Sequence, residues 1–225
     1  AAAQFLPRAG ILTAAEQGGA ARLQDAVRAA KAGIRLRLRG TGGTALDTVA
    51  LDRLCLHLRG ADDMAGRLYE KIVGGVVGVL VTPVAPVGGP AGRQHLLPAS
   101  AVRPMGFDDD QALLPGGPRS LAGYRLLQEY FAFPQRYHFI SIDGLQAALA
   151  DCPGDEIDIT ILLGSADTVL ERSLDASNFA LHCTPAANLF QRRADRIDIS
   201  GEQYEYHVLA DRTRPLDFEV FQIAE

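Results

Sequence analysis

The chain has 225 residues, 48% of them apolar and 22% charged, so it can bury a packed core and is not disordered by composition. Its formal net charge of −5 argues against nucleic acid as the main partner, because phosphate binding draws on clustered Lys and Arg. Three scattered cysteines, Cys55, Cys152 and Cys183, make no disulfide framework and point to a reducing compartment such as the cytoplasm.

Ala1-Ala2-Ala3 carries no Met, basic stretch or apolar signal core, so no targeting segment is expected there. Residues 34–39 read Ile-Arg-Leu-Arg-Leu-Arg, which predicts a strand with Ile34, Leu36 and Leu38 on one face and Arg35, Arg37 and Arg39 on the other. Residues 53–59 repeat the alternation, with Leu54, Leu56 and Leu58 inward, and the glycine-rich Gly40-Thr41-Gly42-Gly43 starts the connection. The two strands are expected to be neighbours in one antiparallel sheet.

From residue 62 the apolar period lengthens: Met64, Ala65, Leu68, Tyr69, Ile72 and Val73 predict a helix capped by Asp62 or Asp63 and ended by Gly74-Gly75. A strand-rich run follows over Val76–Thr82. The longest apolar run, Ile72 to Val81, is broken by glycines and falls well short of the roughly 20 residues a membrane helix needs, so no insertion into a membrane is expected.

Prolines 83, 86, 90, 98, 104, 115 and 118, with glycines among them, leave few regular backbone hydrogen bonds over 83–119. The chain is therefore expected to divide into a β-rich domain at 1–98 with one packed helix, a linker at 99–119, and a second domain at 120–225. Ser120 can cap a helix that Pro134 stops, with Tyr124, Leu127 and Phe131 on one side. Those aromatic residues, with Tyr130 and Phe133, read as core; truncating a buried Phe131 to Ala would cost roughly 3–5 kcal/mol. Arg125, Gln128 and Glu129 on the other side then become candidates for contact with another subunit. Beyond the helix, alternation predicts strands at 136–142, 157–163, 179–183, 195–199, 204–209 and 217–223. The fold class is β-dominated α+β, with two packed β-sandwich-like domains and a few helices.

No reaction chemistry assembles in the sequence. Gly40-Thr41-Gly42-Gly43-Thr44 lacks the Lys-Ser/Thr ending of a phosphate loop and reads as a turn. Asp108-Asp109-Asp110 reads as a solvated acidic turn, because consecutive carboxylates seldom converge on one cation. Histidines 57, 95, 138, 182 and 207 lack metal-ligand spacing and are assigned structural roles, with His182 and Cys183 facing opposite ways if their strand is regular. Ser165 with Asp167, and Ser177 with His182, form no recognisable triad motif. No catalytic residue, metal ligand or cofactor is expected. The arginine rows, Arg35, Arg37 and Arg39 with Arg53 and Arg59, either keep the sheet soluble or dock an acidic partner. Arg35, Arg37 and Arg59 are the candidates for that second role.

Three long segments occur in an order that resembles a known family. They are Gly123-Tyr124-Arg125-Leu126-Leu127-Gln128-Glu129-Tyr130-Phe131-Ala132-Phe133-Pro134; Phe179 to Phe190 with Arg193-Ala194-Asp195; and Glu205-Tyr206-His207-Val208 with Asp211 to Val220. Together they resemble the TssF/ImpG/VasA family of type VI secretion baseplate subunits, with departures at Gly116-Gly117 and Gln191. The resemblance implies a middle fragment of a longer protein, a phage baseplate wedge-like fold and a structural, non-enzymatic role. It implies contacts with TssG, TssK, TssE and the base of the spike and tube, and two TssF-type copies per TssG. It also implies a cytoplasmic baseplate held against the inner-membrane complex. Tyr124, Arg125, Gln128, Glu129, Phe131, Asn188 and Arg193 are the interface candidates within the matching segments. The alternative is a non-catalytic β-sandwich module that binds carbohydrate or peptide, which an exposed aromatic groove would favour; a hydrolase would need Ser, His and Asp to converge.

Overall fold

The computed structural model describes all residues except 1, 16–20, 62, 86–91, 116–120, 200, 202–203 and 224–225, and leaves out the side chains of 12–15, 21–24 and 122. The regular elements among the described residues are, in order, β1 (Ala2–Pro7), α1 (Arg8–Ala15), α2 (Ala21–Ala29), β2 (Ala32–Arg39), β3 (Arg53–Leu58), α3 (Met64–Gly75), β4 (Val76–Pro83), β5 (His95–Leu97), β6 (Val102–Pro104), α4 (Ala122–Ala132), β7 (Phe139–Asp143), α5 (Gln146–Ala150), β8 (Glu156–Leu163), α6 (Thr168–Ser173) and β9 (Phe179–Ala180). They make a strand-rich α+β fold with two antiparallel sheets. One has the order β1-β2-β8-β4-β5 and the other β6-β7-β3-β9.

Alternation decides the layers. Ile157, Ile159, Ile161 and Leu163 of β8 face the same core as Ile34 and Leu36 of β2 and Val79 and Val81 of β4. Leu54, Leu56 and Leu58 of β3 and Ile140 and Ile142 of β7 enter that core from the other sheet, and Leu68 and Ile72 of α3 help to close it. On the opposite face of the larger sheet, Leu80 and Leu162 pack with Ile11 of α1 and Val27 of α2. Asp167 ties α3 to α6: it accepts from the α6 backbone N–H groups of Val169 and Leu170 and takes a two-pronged contact from Arg67 at 2.9 and 3.1 Å.

Several expectations are corrected by this pairing. β2 and β3 both form, but in different sheets: β2 pairs with β1 and β8, β3 with β7 and β9. Alternation identifies a strand's buried face, and says nothing of its neighbours. The backbone divides into residues 1–185 and 186–225 rather than across 99–119. Within 1–185, β8 lies between β2 and β4, and β6 from the Pro/Gly-rich stretch pairs with β7. Both sheets therefore draw strands from either side of that stretch. α3 runs through Gly74 and Gly75 before Val76 turns extended, and its Asp63 cap makes no side-chain bond; Asp62 lies outside the described residues. Ser120 also lies outside them.

The expected strand at 136–142 begins at Phe139, because Pro134 opens a short 3-10 turn over Pro134–His138. The expected 179–183 strand stops at Ala180, and His182 turns to φ 56°, so His182 and Cys183 do not alternate across a strand. The described residues of 195–199, 204–209 and 217–223 form no strands. Within that second unit the Asp195 N–H meets the Leu209 carbonyl at 3.0 Å, and Arg212 donates to the Arg196 carbonyl at 2.7 Å. Isolated bonds of this kind stand in for a ladder, and apolar side chains such as Ile199 and Leu216 remain exposed.

His57 on β3 stacks on Phe139 of β7 with ring centroids 4.3 Å apart. Burial, and then the neighbouring His138, push its imidazole below the ordinary value, while a hydrogen bond that the ring donates to the Gln135 backbone opposes them. Burial does the same to His138, which lies beside Tyr69. The folded state thus favours both rings neutral. The unfolded chain takes up protons first, so their contribution to stability is complete above 6.5 and falls as pH drops below it. Denaturant unfolding at pH 7.5 and 5.5 is expected to show lower stability at the acidic end, with a smaller difference in the His57→Gln/His138→Gln double variant.

Candidate interaction surface

The α4 segment has good helix formers (Leu, Arg, Gln, Glu, Ala) in its interior, and Pro134 prevents continuation beyond Phe133. It carries two stripes, one apolar (Tyr124, Leu127, Tyr130, Phe131) and one ionic (Arg125, Glu129). The structure turns the ionic stripe inward, contrary to the sequence expectation. Glu129 is 2% exposed and Arg136, just beyond the helix, 1%, whereas Tyr124 is 63% exposed and Phe131 80%.

The physical reason for the reversal is a loop with unsatisfied backbone groups. One Glu129 oxygen accepts the N–H groups of Leu113 and Leu114 at 3.0 and 3.1 Å. Arg136 forms an ion pair with Glu129 and donates to the carbonyls of Gly106 and Gln111 at 3.1 and 2.7 Å. Arg125 reaches both Glu129 oxygens at 3.4 Å, the Phe107 carbonyl at 3.3 Å and Asp109 at 3.2 Å. The Gly106 N–H donates to the Gln111 side chain. Prolines and glycines leave this stretch without a ladder, so ionic side chains supply partners for its half-buried backbone groups. Burial lowers the Arg136 pKa from its ordinary value; Tyr137 opposes that and Arg125 adds to it. Gly106 has φ 100°, and a Cβ there would meet the Arg136 guanidinium at 3.2 Å, so glycine is required on both counts.

A series of ring contacts links the exposed rings of α4 to the loop through the buried Tyr137. Phe107 and Tyr137 have centroids 5.1 Å apart, Tyr137 and Tyr130 6.1 Å, and Tyr130 and Phe131 5.6 Å. Phe107 leads directly into the exposed Asp108-Asp109-Asp110, where Asp109 to Gln111 form a 3-10 turn. Among α4 residues the only charged side chains, Arg125 and Glu129, point inward, so the outward face is uncharged.

The other candidates lie elsewhere. Arg37 is directly opposite Asp158 and pairs with it twice at 2.7 Å; that hydrogen bond is the first cause of its raised pKa. Arg35 donates to Gln4 at 2.5 Å, Arg39 to Asp155 at 3.0 Å, and Arg53 to Asp143 at 2.9 and 3.1 Å. Much of the arginine row is therefore engaged within the fold, and Arg59 lies exposed after β3 with its backbone bonded to Asn178. Gln128 shares the outward face of α4 with Tyr124 and Phe131. Asn188 and Arg193 are exposed in the 186–225 unit. Arg136, Gln111, Phe107 and Tyr137 were not legible as site residues; the available signal was the four-residue spacing of Arg125 and Glu129.

Ser165 binds Lys71 at 2.8 Å, and Ser177 bonds to Asp175 at 2.6 Å. Among the described residues no group of three His, Cys, Asp or Glu side chains is placed to hold a metal ion. The Gly42 and Gly43 turn, each at φ 70°, carries a short 3-10 turn.

The family model described as Type VI secretion system, TssF matches residues 8–225. Type VI secretion system component TssF1 of Pseudomonas aeruginosa is 48% identical over 196 residues, which cover 87% of this chain and 31% of that protein. The chain thus spans about a third of that relative's length. A cryo-electron microscopy structure of the type VI secretion system TssK-TssF-TssG baseplate subcomplex contains a chain of similar fold, with TM-score 0.59 and 23% identity over 82% of this chain and 34% of that one.

The inward ionic stripe makes two substitutions diverge. Glu129→Gln leaves the buried Arg136 without its anion and Arg125 with only the exposed Asp109, and is expected to lower unfolding stability by about 3–5 kcal/mol. Phe131→Ala, at an exposed position, is expected to change it by no more than about 0.5 kcal/mol. Denaturant unfolding of the two variants beside the parent chain checks both figures.

Proposed function

The chain belongs to the type VI secretion system TssF family, and on that premise we propose that it is a structural part of that system's baseplate. The observation that carries the proposal is the 48% identity to TssF1 over 196 residues. The solved relative of the same fold sits in a complex named for TssK, TssF and TssG, which supports TssG- and TssK-type subunits as partners here. TssE, the spike and tube base, and a second TssF copy join the proposal through family resemblance.

The structural, non-catalytic part of this reading rests on the family match. Among the described residues no helix is long and apolar enough to cross a membrane. We place the protein at the cytoplasmic, inner-membrane-associated baseplate by that family reading. The aromatic residues of α4 lie along a helix, which does not favour the carbohydrate- or peptide-groove alternative.

Co-expression of the full-length protein containing this chain with the TssG and TssK subunits of the same source is the direct test. A complex that survives affinity purification and size exclusion is expected. Separate elution of all three at micromolar concentration would overturn the proposal.

A further inference from the structure

We propose that the outward face of α4 docks a basic amphipathic helix of another subunit, one whose apolar ridge is flanked by Lys or Arg. The inference goes beyond the baseplate reading and rests on it only for the choice of natural probe. Tyr124, Leu127 and Phe131 recur at three- and four-residue spacing, the pattern by which one helix presents a ridge to another. The ridge spans about 10 Å at roughly 1.5 Å rise per residue, enough to engage two turns of a partner. It is held outward by the buried Arg125–Glu129–Arg136 contacts on the other side of the helix, so the aromatic face is a fixed feature of the fold.

Charge specifies the partner. The exposed Phe107, linked to Tyr130 through the buried Tyr137, leads into Asp108, Asp109 and Asp110, all exposed. Asp109 faces Arg125, while Arg53, which senses Asp110, is already bonded to Asp143. Asp109 and the buried Glu129 are already met by Arg125 and Arg136, which leaves the exposed Asp108 and Asp110 as the acidic rim. A partner with lysine or arginine beside its apolar ridge complements that rim, and an anionic lipid surface is repelled by it.

The test uses the full-length protein with purified TssG and TssK of the same source, with dissociation constants measured at low and moderate salt. Tyr124→Ser/Phe131→Ser is expected to weaken association roughly tenfold or more, as loss of buried aromatic anchors does. Asp108→Asn/Asp110→Asn is expected to weaken it less and to flatten its salt dependence. Carbodiimide coupling of the wild-type complex should join Asp108 or Asp110 to a partner lysine. Unchanged dissociation constants in both variants overturn the proposal. So does a wild-type homodimer dispersed by the Ser variant, or vesicle binding that the Ser variant loses.

Failure of the wild type to bind either subunit would sink the baseplate reading alone. Docking would then be judged with a synthetic Leu/Lys amphipathic helix against its Leu/Glu counterpart. Preference for the Lys peptide that both variants abolish supports the proposal, and equal binding overturns it. Unaltered circular dichroism of the variants confirms that folding is not what changed.

Discussion

Glu129 is a single buried carboxylate between two buried guanidiniums, and each of the three also serves backbone groups of one loop. Taking such ions out of water carries a penalty of several kcal/mol each, recovered only where geometry and hydrogen bonding are nearly complete. Here the loop over Gly106 to Leu114 lacks a ladder of its own, and the ionic groups provide its partners. The direction of α4 follows from that exchange. With its polar stripe committed to the loop, the helix has only its aromatic stripe left for solvent or for another molecule. Burying a large apolar side chain is worth about 1.5–3 kcal/mol, and the fold leaves that contribution unused at Phe131 and Tyr124.

The larger sheet shows how charge and apolar packing divide one surface. Toward one end of its outer face, Leu80 and Leu162 lie under α1 and α2. Toward the other, Arg37 and Asp158 face each other across neighbouring strands. An Arg row on one strand beside an Asp on the next neutralises the face from within. A purely basic docking face would have required those carboxylates to be elsewhere.

Strands β2, β3 and β8 and the helix α3 were legible because strict alternation, or its replacement by a three-to-four period, is a local property of the chain, and β4 was legible as a β-rich apolar run after α3. Their partners were not, since Ile34 and Leu54 have the same local pattern and yet enter the core from different sheets. The α4 helix was legible in extent and inverted in facing: the hydrophobic rule has no term for the amides of a distant loop, and nothing local to Leu113 names Glu129 as their acceptor. Family membership was legible through long matched segments. In residues 195–223 alternation alone predicted strands, but a ladder also requires a neighbouring strand, and single bonds such as Asp195 to Leu209 take its place.

The position of β8 between β2 and β4 has a consequence for synthesis on the ribosome. Both flanking strands have been made by residue 83, yet the strand that joins them ends at residue 163. At roughly 5–20 residues per second, the intervening 80 residues take about 4–16 s to translate. Throughout that interval two apolar strands have edges with no native neighbour, exposing them to mispairing. Growth of the nascent chain, more than the intrinsic speed of strand pairing, sets the earliest moment at which the larger sheet can close.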